Sequence, residues 1–364
     1  MSRFWSDHVV GLMPYVAGEQ PKVPNLLKLN TNENPYGPSP RALQAIHDAA
    51  NGNLKLYPDN ESTALRQAIA RHHGLTPDQV FVGNGSDDVL AHIFNALFRH
   101  GLRPLCMPDI TYSFYATYCL LFDIPVHIIP LDDNLNIRAA DYTGYKGPTP
   151  GGIIFANPNA PTGQVLPLAD IAAIAAAHPD TPVVVDEAYV DFGAETATGL
   201  IAQHPNIVTV HTFSKSRSLA GMRVGFAMSS PEIIQGLNRV KDSFNSYPLD
   251  TLAQAAAVAA MEDTGYFEQT RRTIMQTRDQ LAQQLAGLGF QVLPSSTNFL
   301  FVRHPLHDGA ALAQALRSRN VLVRRLSHPR IQQYLRISVG TPQECERLLQ
   351  AVSESLPQVA APAA

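Results

Sequence analysis

The chain has 364 residues, 45% of them hydrophobic and 16% charged, and a formal net charge of −4. That is enough for about two globular domains with cores of their own, while the slight negative charge, without any Lys/Arg run of five, argues against a nucleic-acid surface. Cys106, Cys119 and Cys345 are odd in number and lack C-x-x-C spacing, thirteen histidines are scattered, and no apolar stretch approaches the ~20 residues of a membrane span. Disulfides, a metal site and a membrane protein are therefore not expected, and a cytoplasmic location is the default.

The first forty residues are rich in Pro, Asn and Gly and read as an arm, 1–41, partly packed with a small domain. A helix capped at Ser62, with Leu65 and Ile69 on one face, runs to Gly74. A strand from Val80 to Val82 then breaks at Gly83-Asn84-Gly85, and Ser86 is placed to cap the next helix. Short apolar runs follow at Leu105 to Met107, Val126 to Ile129, Ile153 to Ala156, Val183 to Val185, Ile207 to Val210 and Val224 to Phe226. Helical stretches such as Tyr112 to Leu121, Leu168 to Ala177 and Pro231 to Val240 separate most of them. Continuously apolar strands alternating with helices predict an α/β fold over 42–250, a mainly parallel sheet flanked by helices on both faces. Beyond Pro248 an Ala/Gln/Arg-rich stretch, Thr251 to Leu288, reads as a connecting helix broken near Gly265. Strands at Phe290 to Leu293, Phe299 to Val302, Val321 to Arg324 and Leu335 to Val339, with helices at Ala310 to Arg319 and after Pro342, predict a smaller α+β domain over 251–364. Its tail, Pro357 to Ala364, is expected to fray.

Lys215 lies in a Ser/Gly-rich turn between two of these strands, so backbone holds it from both sides. Desolvation and the nearby cations Arg217 and Arg223 would lower its pKa and make its amine a nucleophile toward an aldehyde. A Ser-Lys pair in a loop is ordinarily solvated, so that reading depends on what else is present. Gly85, Ser86 and Asp87 follow a strand and open a helix, where free N–H groups can hold a phosphate; the plainer reading is a glycine turn with a serine cap. The carboxylates of Asp87 and Asp88 must then face other donors. Asp186 ends an apolar strand, where a carboxylate is costly unless it meets a cation such as a protonated pyridine nitrogen or caps a helix. Asn157-Pro158-Asn159-Ala160-Pro161-Thr162-Gly163 is a stiff loop that projects amides. Tyr112 and Phe114 stand at a strand-to-helix junction, able to stack on a planar ring. A planar, phosphorylated pyridine aldehyde accounts for all of these.

In this order the motifs resemble those of the fold-type I pyridoxal-phosphate aminotransferases. Leu27-Lys28-Leu29-Asn30-Thr31-Asn32-Glu33-Asn34-Pro35-Tyr36-Gly37-Pro38, Tyr57-Pro58-Asp59 and Leu335-Arg336-Ile337-Ser338-Val339-Gly340-Thr341 are similar to the histidinol-phosphate aminotransferase subfamily. The resemblance spans Pro14 to Leu349. It implies pyridoxal 5'-phosphate as cofactor, a homodimer, and transamination between L-histidinol phosphate and 2-oxoglutarate, giving imidazole acetol phosphate and glutamate in histidine biosynthesis. Lys215 would bind the cofactor and move the proton at the substrate Cα, Asp186 would keep the pyridine nitrogen protonated, and Tyr189 would donate to the ring hydroxyl oxygen. Tyr112 would stack on the ring. Gly85, Ser86, Asp87, Ser214 and Arg223 would hold the phosphate, joined by Tyr57 from the neighbouring subunit. The family's usual Asn before Pro-Thr-Gly is Ala160 here, so Asn159 is expected to take over its contact, with Asn157 the other choice. Arg336 and Arg324 would converge on the substrate anion, with Tyr15, Asn32 and Tyr247 lining the pocket. An aromatic amino acid aminotransferase and a phosphothreonine decarboxylase-type lyase share much of the pattern; a non-catalytic binding module is disfavoured by the presence of Lys215, Asp186 and Arg223.

Overall fold

The computed structural model describes residues 3–16 and 18–359. Twelve strands are found among them: β1 Leu27–Leu29, β2 Val80–Gly83, β3 Leu105–Pro108, β4 Val126–Ile129, β5 Gly152–Ala156, β6 Val183–Asp186, β7 Ile207–Thr212, β8 Gly225–Met228, β9 Gln291–Val292, β10 Phe299–Arg303, β11 Val321–Arg325 and β12 Leu335–Ser338. Seven form one sheet in the order β2-β8-β7-β6-β5-β3-β4, in which only β8 runs against the rest. The unbroken apolar strands have a direct cause. Ile153, Phe155, Val183 and Val185 enter the core on one face, whereas Ile154, Val184, Val208 and Val210 enter the core on the other, so no strand residue in the centre needs to be polar. Parallel pairing places the carboxyl ends of β5, β6 and β7 at one edge, with Ala156 beside Asp186. The end of β2 at Gly83 and the start of β8 at Gly225 share that edge.

The other five strands pair in the order β1-β11-β12-β10-β9 around a third apolar core. The arm contributes its edge strand, β1, parallel to β11. Arg324 and Arg336 are direct neighbours across β11 and β12.

Two local expectations, the caps at Ser62 and Ser86, are corrected, and the expected break near Gly265 is located. Ser62 is left-handed and makes no capping bond; the carboxylate of Asp59 accepts from Thr63 N at 2.7 Å instead. The helix Gly85–Leu97 begins one residue before Ser86, and Oδ2 of Asp88 accepts from Asn84 N at 2.9 Å to close its first turn. The break in the connecting stretch falls at Asp263, which ends Thr251–Glu262 and caps Thr264–Gly287 by accepting from Tyr266 N; Gly265 is already helical. A carboxylate is the stronger acceptor for helix N–H groups, and competes successfully with a nearby hydroxyl or glycine. Of the tail, Leu356–Gln358 forms a short 3-10 turn and residues 360–364 lie outside those described.

Candidate active site

The shared strand edge opens into a cavity of about 500 Å³ that also reaches the small sheet. Lys215, Asp186, Tyr189, Ser86, Asp87, Tyr112, Ser214, Arg223, Tyr15, Arg324 and Arg336 all line it. Lys215 follows β7 by three residues. Asn34 of the arm donates to its carbonyl at 3.0 Å, so the arm and the sheet together set where the lysine stands. Its Nζ donates to the carbonyl of Thr31 at 3.2 Å and lies 5.7 Å from the Tyr189 ring centre.

Asp186 is buried at the end of β6. Its carboxylate accepts from Tyr115 Oη at 2.7 Å and from Ala188 N at 3.2 Å. Burial raises its pKa from 3.8 to about 6, although the Tyr115 hydrogen bond works against that rise. A buried carboxylate with one hydroxyl and one amide for partners fits a cationic nitrogen in the cavity.

The helix Gly85–Leu97 points its first turn at the same cavity through Ser86 and Asp87. Asp87 does not oppose an anion there: Oδ1 accepts from Tyr112 at 3.1 Å and Oδ2 from Arg223 at 3.1 Å. Gly85 is left-handed at φ 84°, and a Cβ on it would come within 2.6 Å of Arg223 Nη2. Glycine is thus what lets a guanidinium sit against the helix start, and N–H groups, dipole and cation converge as a phosphate site requires. Ala156, Ala160 and Ala188 line the cavity with Tyr112, and their small side chains leave room for a planar ring. The residues present fit pyridoxal 5'-phosphate.

The substrate side is cationic. Arg336 is half-buried, its Nη2 donates to the carbonyl of Asn30 at 3.1 Å, and its Nε has no hydrogen-bond partner among the described residues. Desolvation lowers its pKa. Among the described residues neither Arg336 nor Arg324 forms an ion pair within 4.0 Å, which suits an anion arriving from outside.

Several expected residues stand elsewhere. Arg217 turns away from Lys215, donating to the carbonyl of Ala260 at 2.6 Å and packing 4.1 Å over Phe267, because an apolar helix covers that side of the turn. Asn159 does not line the cavity; its Nδ2 donates to the carbonyl of Ile110 and to Thr162, while Asn157 is bound to Leu166. Asn32 is buried behind Tyr189 and is not a cavity wall. Tyr247 stacks at 4.8 Å on Tyr57 instead of entering the cavity, and Tyr57 itself is 83% exposed and outside its own chain's site. Tyr115, Thr212 and Asn34 belong to the site or its support and were not singled out from the sequence. Tyr115 and Thr212 read as ordinary core, and only the spacing Tyr112 to Tyr115, one helical turn, hints at a shared target.

Residues 24–352 match the family "Aminotransferase class I and II". The chain is 59% identical to histidinol-phosphate aminotransferase 1 of Bordetella parapertussis, over 97% of this chain and 99% of that one. It is 56% identical to the histidinol-phosphate aminotransferase of Aromatoleum aromaticum, over 98% and 100%. Its structure resembles the histidinol-phosphate aminotransferase of Sinorhizobium meliloti in complex with pyridoxal-5'-phosphate, with a TM-score of 0.85 at 26% identity, covering 98% of this chain and 99% of that one. The lysine at the edge of the seven-stranded sheet, the buried carboxylate and the helix start beside it and these likenesses agree, and the chain belongs to the class I and II aminotransferases, among the pyridoxal-phosphate-dependent histidinol-phosphate aminotransferases.

Proposed function

We propose that this enzyme moves the amino group of L-histidinol phosphate to 2-oxoglutarate, giving imidazole acetol phosphate and glutamate, as a cytoplasmic step of histidine biosynthesis. The observation that carries this reading is the Arg324 and Arg336 pair, adjacent across two strands and free of carboxylate partners in the cavity that holds Lys215. Histidinol phosphate offers a phosphate and no carboxylate, and 2-oxoglutarate offers two carboxylates. One pair of guanidinium groups serves both half-reactions. The relatives' names support the same substrate.

Pyridoxal 5'-phosphate, when bound, supplies a conjugated ring that accepts the electron pair of the substrate's C–H bond. The chain's own residues do the rest. Lys215 is the base at the substrate Cα, held over the cavity by Asn34 and beside Thr31. Asp186 would keep a proton at the pyridine nitrogen, Tyr189 would donate at the ring hydroxyl oxygen, Tyr112 would hold the ring, and Ser86, Asp87, Ser214, Gly85 and Arg223 would orient the phosphate. Tyr15, which packs 4.8 Å from Phe114, lines the cavity. Tyr57, exposed and braced by Tyr247, completes the phosphate site of a second copy in a two-fold dimer.

Replacing Arg336 by Gln tests the substrate. A charge-assisted contact of about 1.5–3 kcal/mol is lost, so KM for both histidinol phosphate and 2-oxoglutarate rises by roughly one to two orders of magnitude. Unphosphorylated histidinol reacts poorly with either form and changes little. A preference of more than about tenfold in kcat/KM for phenylalanine or tyrosine over histidinol phosphate would overturn the assignment, as would release of carbon dioxide from phosphothreonine without an oxo acid.

A further inference from the structure

Asn32 is 1% exposed and left-handed at φ 56°. Every polar group it carries is engaged. Its backbone N–H donates to Ser338 Oγ at 2.8 Å, its carbonyl accepts from Asn298 Nδ2 at 2.9 Å, its Oδ1 accepts from Ser338 Oγ at 3.0 Å, and its Nδ2 donates to Tyr189 Oη at 3.0 Å.

Ser338 donates its one hydroxyl hydrogen to the oxygen end of the Asn32 amide while its own oxygen accepts the Asn32 N–H, and the NH₂ end of the amide faces Tyr189. Tyr189 Oη is an acceptor toward Asn32, and its single hydrogen remains for an acceptor in the cavity that Tyr189 lines. Receiving a hydrogen bond strengthens an O–H as a donor.

Position 160 makes this arrangement consequential. Ala160 presents a methyl group to the cavity, Asn159 spends its NH₂ on Ile110 and Thr162, and Asn157 spends its own on the carbonyl of Leu166. Tyr189, which lines the cavity with a hydroxyl hydrogen to give, is then the donor we assign to the cofactor's ring oxygen.

We propose that Asn32 is a positioning residue that orients and polarises Tyr189, so that Tyr189 serves the cofactor's ring oxygen in place of an amide at position 160. Through Ser338, two residues beyond Arg336 on β12, the same chain of bonds ties the cofactor's electronic state to the strand that carries the substrate arginine. This rests on the reading that Lys215 and Tyr189 face the cofactor.

The test is a pH titration of the visible absorption of the holoenzyme, in which the nitrogen joining Lys215 to the cofactor loses its proton. The chromophore becomes more negative in that step, so a donor at its ring oxygen favours the deprotonated form and lowers the transition pH. Tyr189→Phe therefore raises the transition. Asn32→Gly, chosen because glycine keeps the left-handed backbone without strain, raises it by about half a pH unit, the scale of one weakened neutral hydrogen bond. Combined with Tyr189→Phe it adds nothing. Ser338→Ala, which leaves Asn32 in place but frees its amide to turn, shifts the transition the same way by less and carries the test if Asn32→Gly does not fold. An unchanged transition in Asn32→Gly or, failing that, Ser338→Ala, with a raised one in Tyr189→Phe, overturns the role of Asn32 alone. Additive shifts in the double variant overturn the relay through Tyr189. An unchanged transition in Tyr189→Phe overturns the placement of Tyr189 on which all of this rests.

Discussion

Tyr115 donates a 2.7 Å hydrogen bond to Oδ2 of Asp186, from a ring that is wholly buried and outside the cavity. The bond holds the carboxylate in place and favours its ionised form against the burial that raises its pKa to about 6. Tyr115→Phe removes one hydroxyl without changing packing. It is expected to raise the Asp186 pKa further and to weaken cofactor binding below neutral pH more than above it, as read from the cofactor dissociation constant between pH 5 and 8.

The same carboxylate governs how the cofactor-free protein responds to acid. With its pKa raised from 3.8 to about 6 in the folded state, Asp186 binds more proton folded than unfolded between those values. Stability from this group is therefore present at low pH, falls as pH rises through that window, and is constant above it. Asp186→Asn removes that slope, so the difference in denaturant midpoint between the variant and the parent grows from pH 4 to pH 6 and then levels. In the holoenzyme the variant retains its fold but turns over orders of magnitude more slowly, because nothing then keeps the ring nitrogen protonated.

Borohydride treatment of the holoenzyme is expected to fix the cofactor on Lys215, found by peptide mass spectrometry. Label on Lys28 or on Lys241, which is buried and bound to the carbonyl of Asn60, would contradict the placement of the amine.

Gly225 sits where β8 meets the helix start, and a Cβ there would collide with the backbone N of Ser86. Backbone cannot move aside as the end of a side chain can. Gly225→Ala should thus lower cofactor affinity strongly and cost about 1–3 kcal/mol of stability, measured by cofactor titration and chemical unfolding.

The dimer proposal is tested by mixing a Tyr57→Phe subunit with an inactive Lys215→Ala subunit. Tyr57→Phe combined with Lys215→Ala yields heterodimers with one site carrying both lesions and one carrying neither, so activity partly returns. An active monomer in sedimentation would rule the shared site out.

The order of apolar strands and helices determined the α/β class, because a sheet buried on both faces must be apolar through its centre, as β5 and the run Val183 to Val185 of β6 are. Lys215, Asp186 and the glycine turn at Gly85 were legible for a related reason: a charge or a glycine at the end of an apolar strand is costly or purposeless unless something uses it. What the sequence could not convey was direction. Arg217 and Arg223 are equally cationic, and Arg217 is the nearer to Lys215 along the chain. Only packing sends one to Ala260 and Phe267 and the other to Asp87. Asn32 and Asn159 looked like ligands, yet their amides are taken up by Tyr189 and Ser338 and by Ile110 and Thr162. A hydrogen bond depends on position and angle over a few ångströms, and residues far apart in sequence, as Asn32 and Tyr189 are, acquire such positions only when the two sheets are folded together.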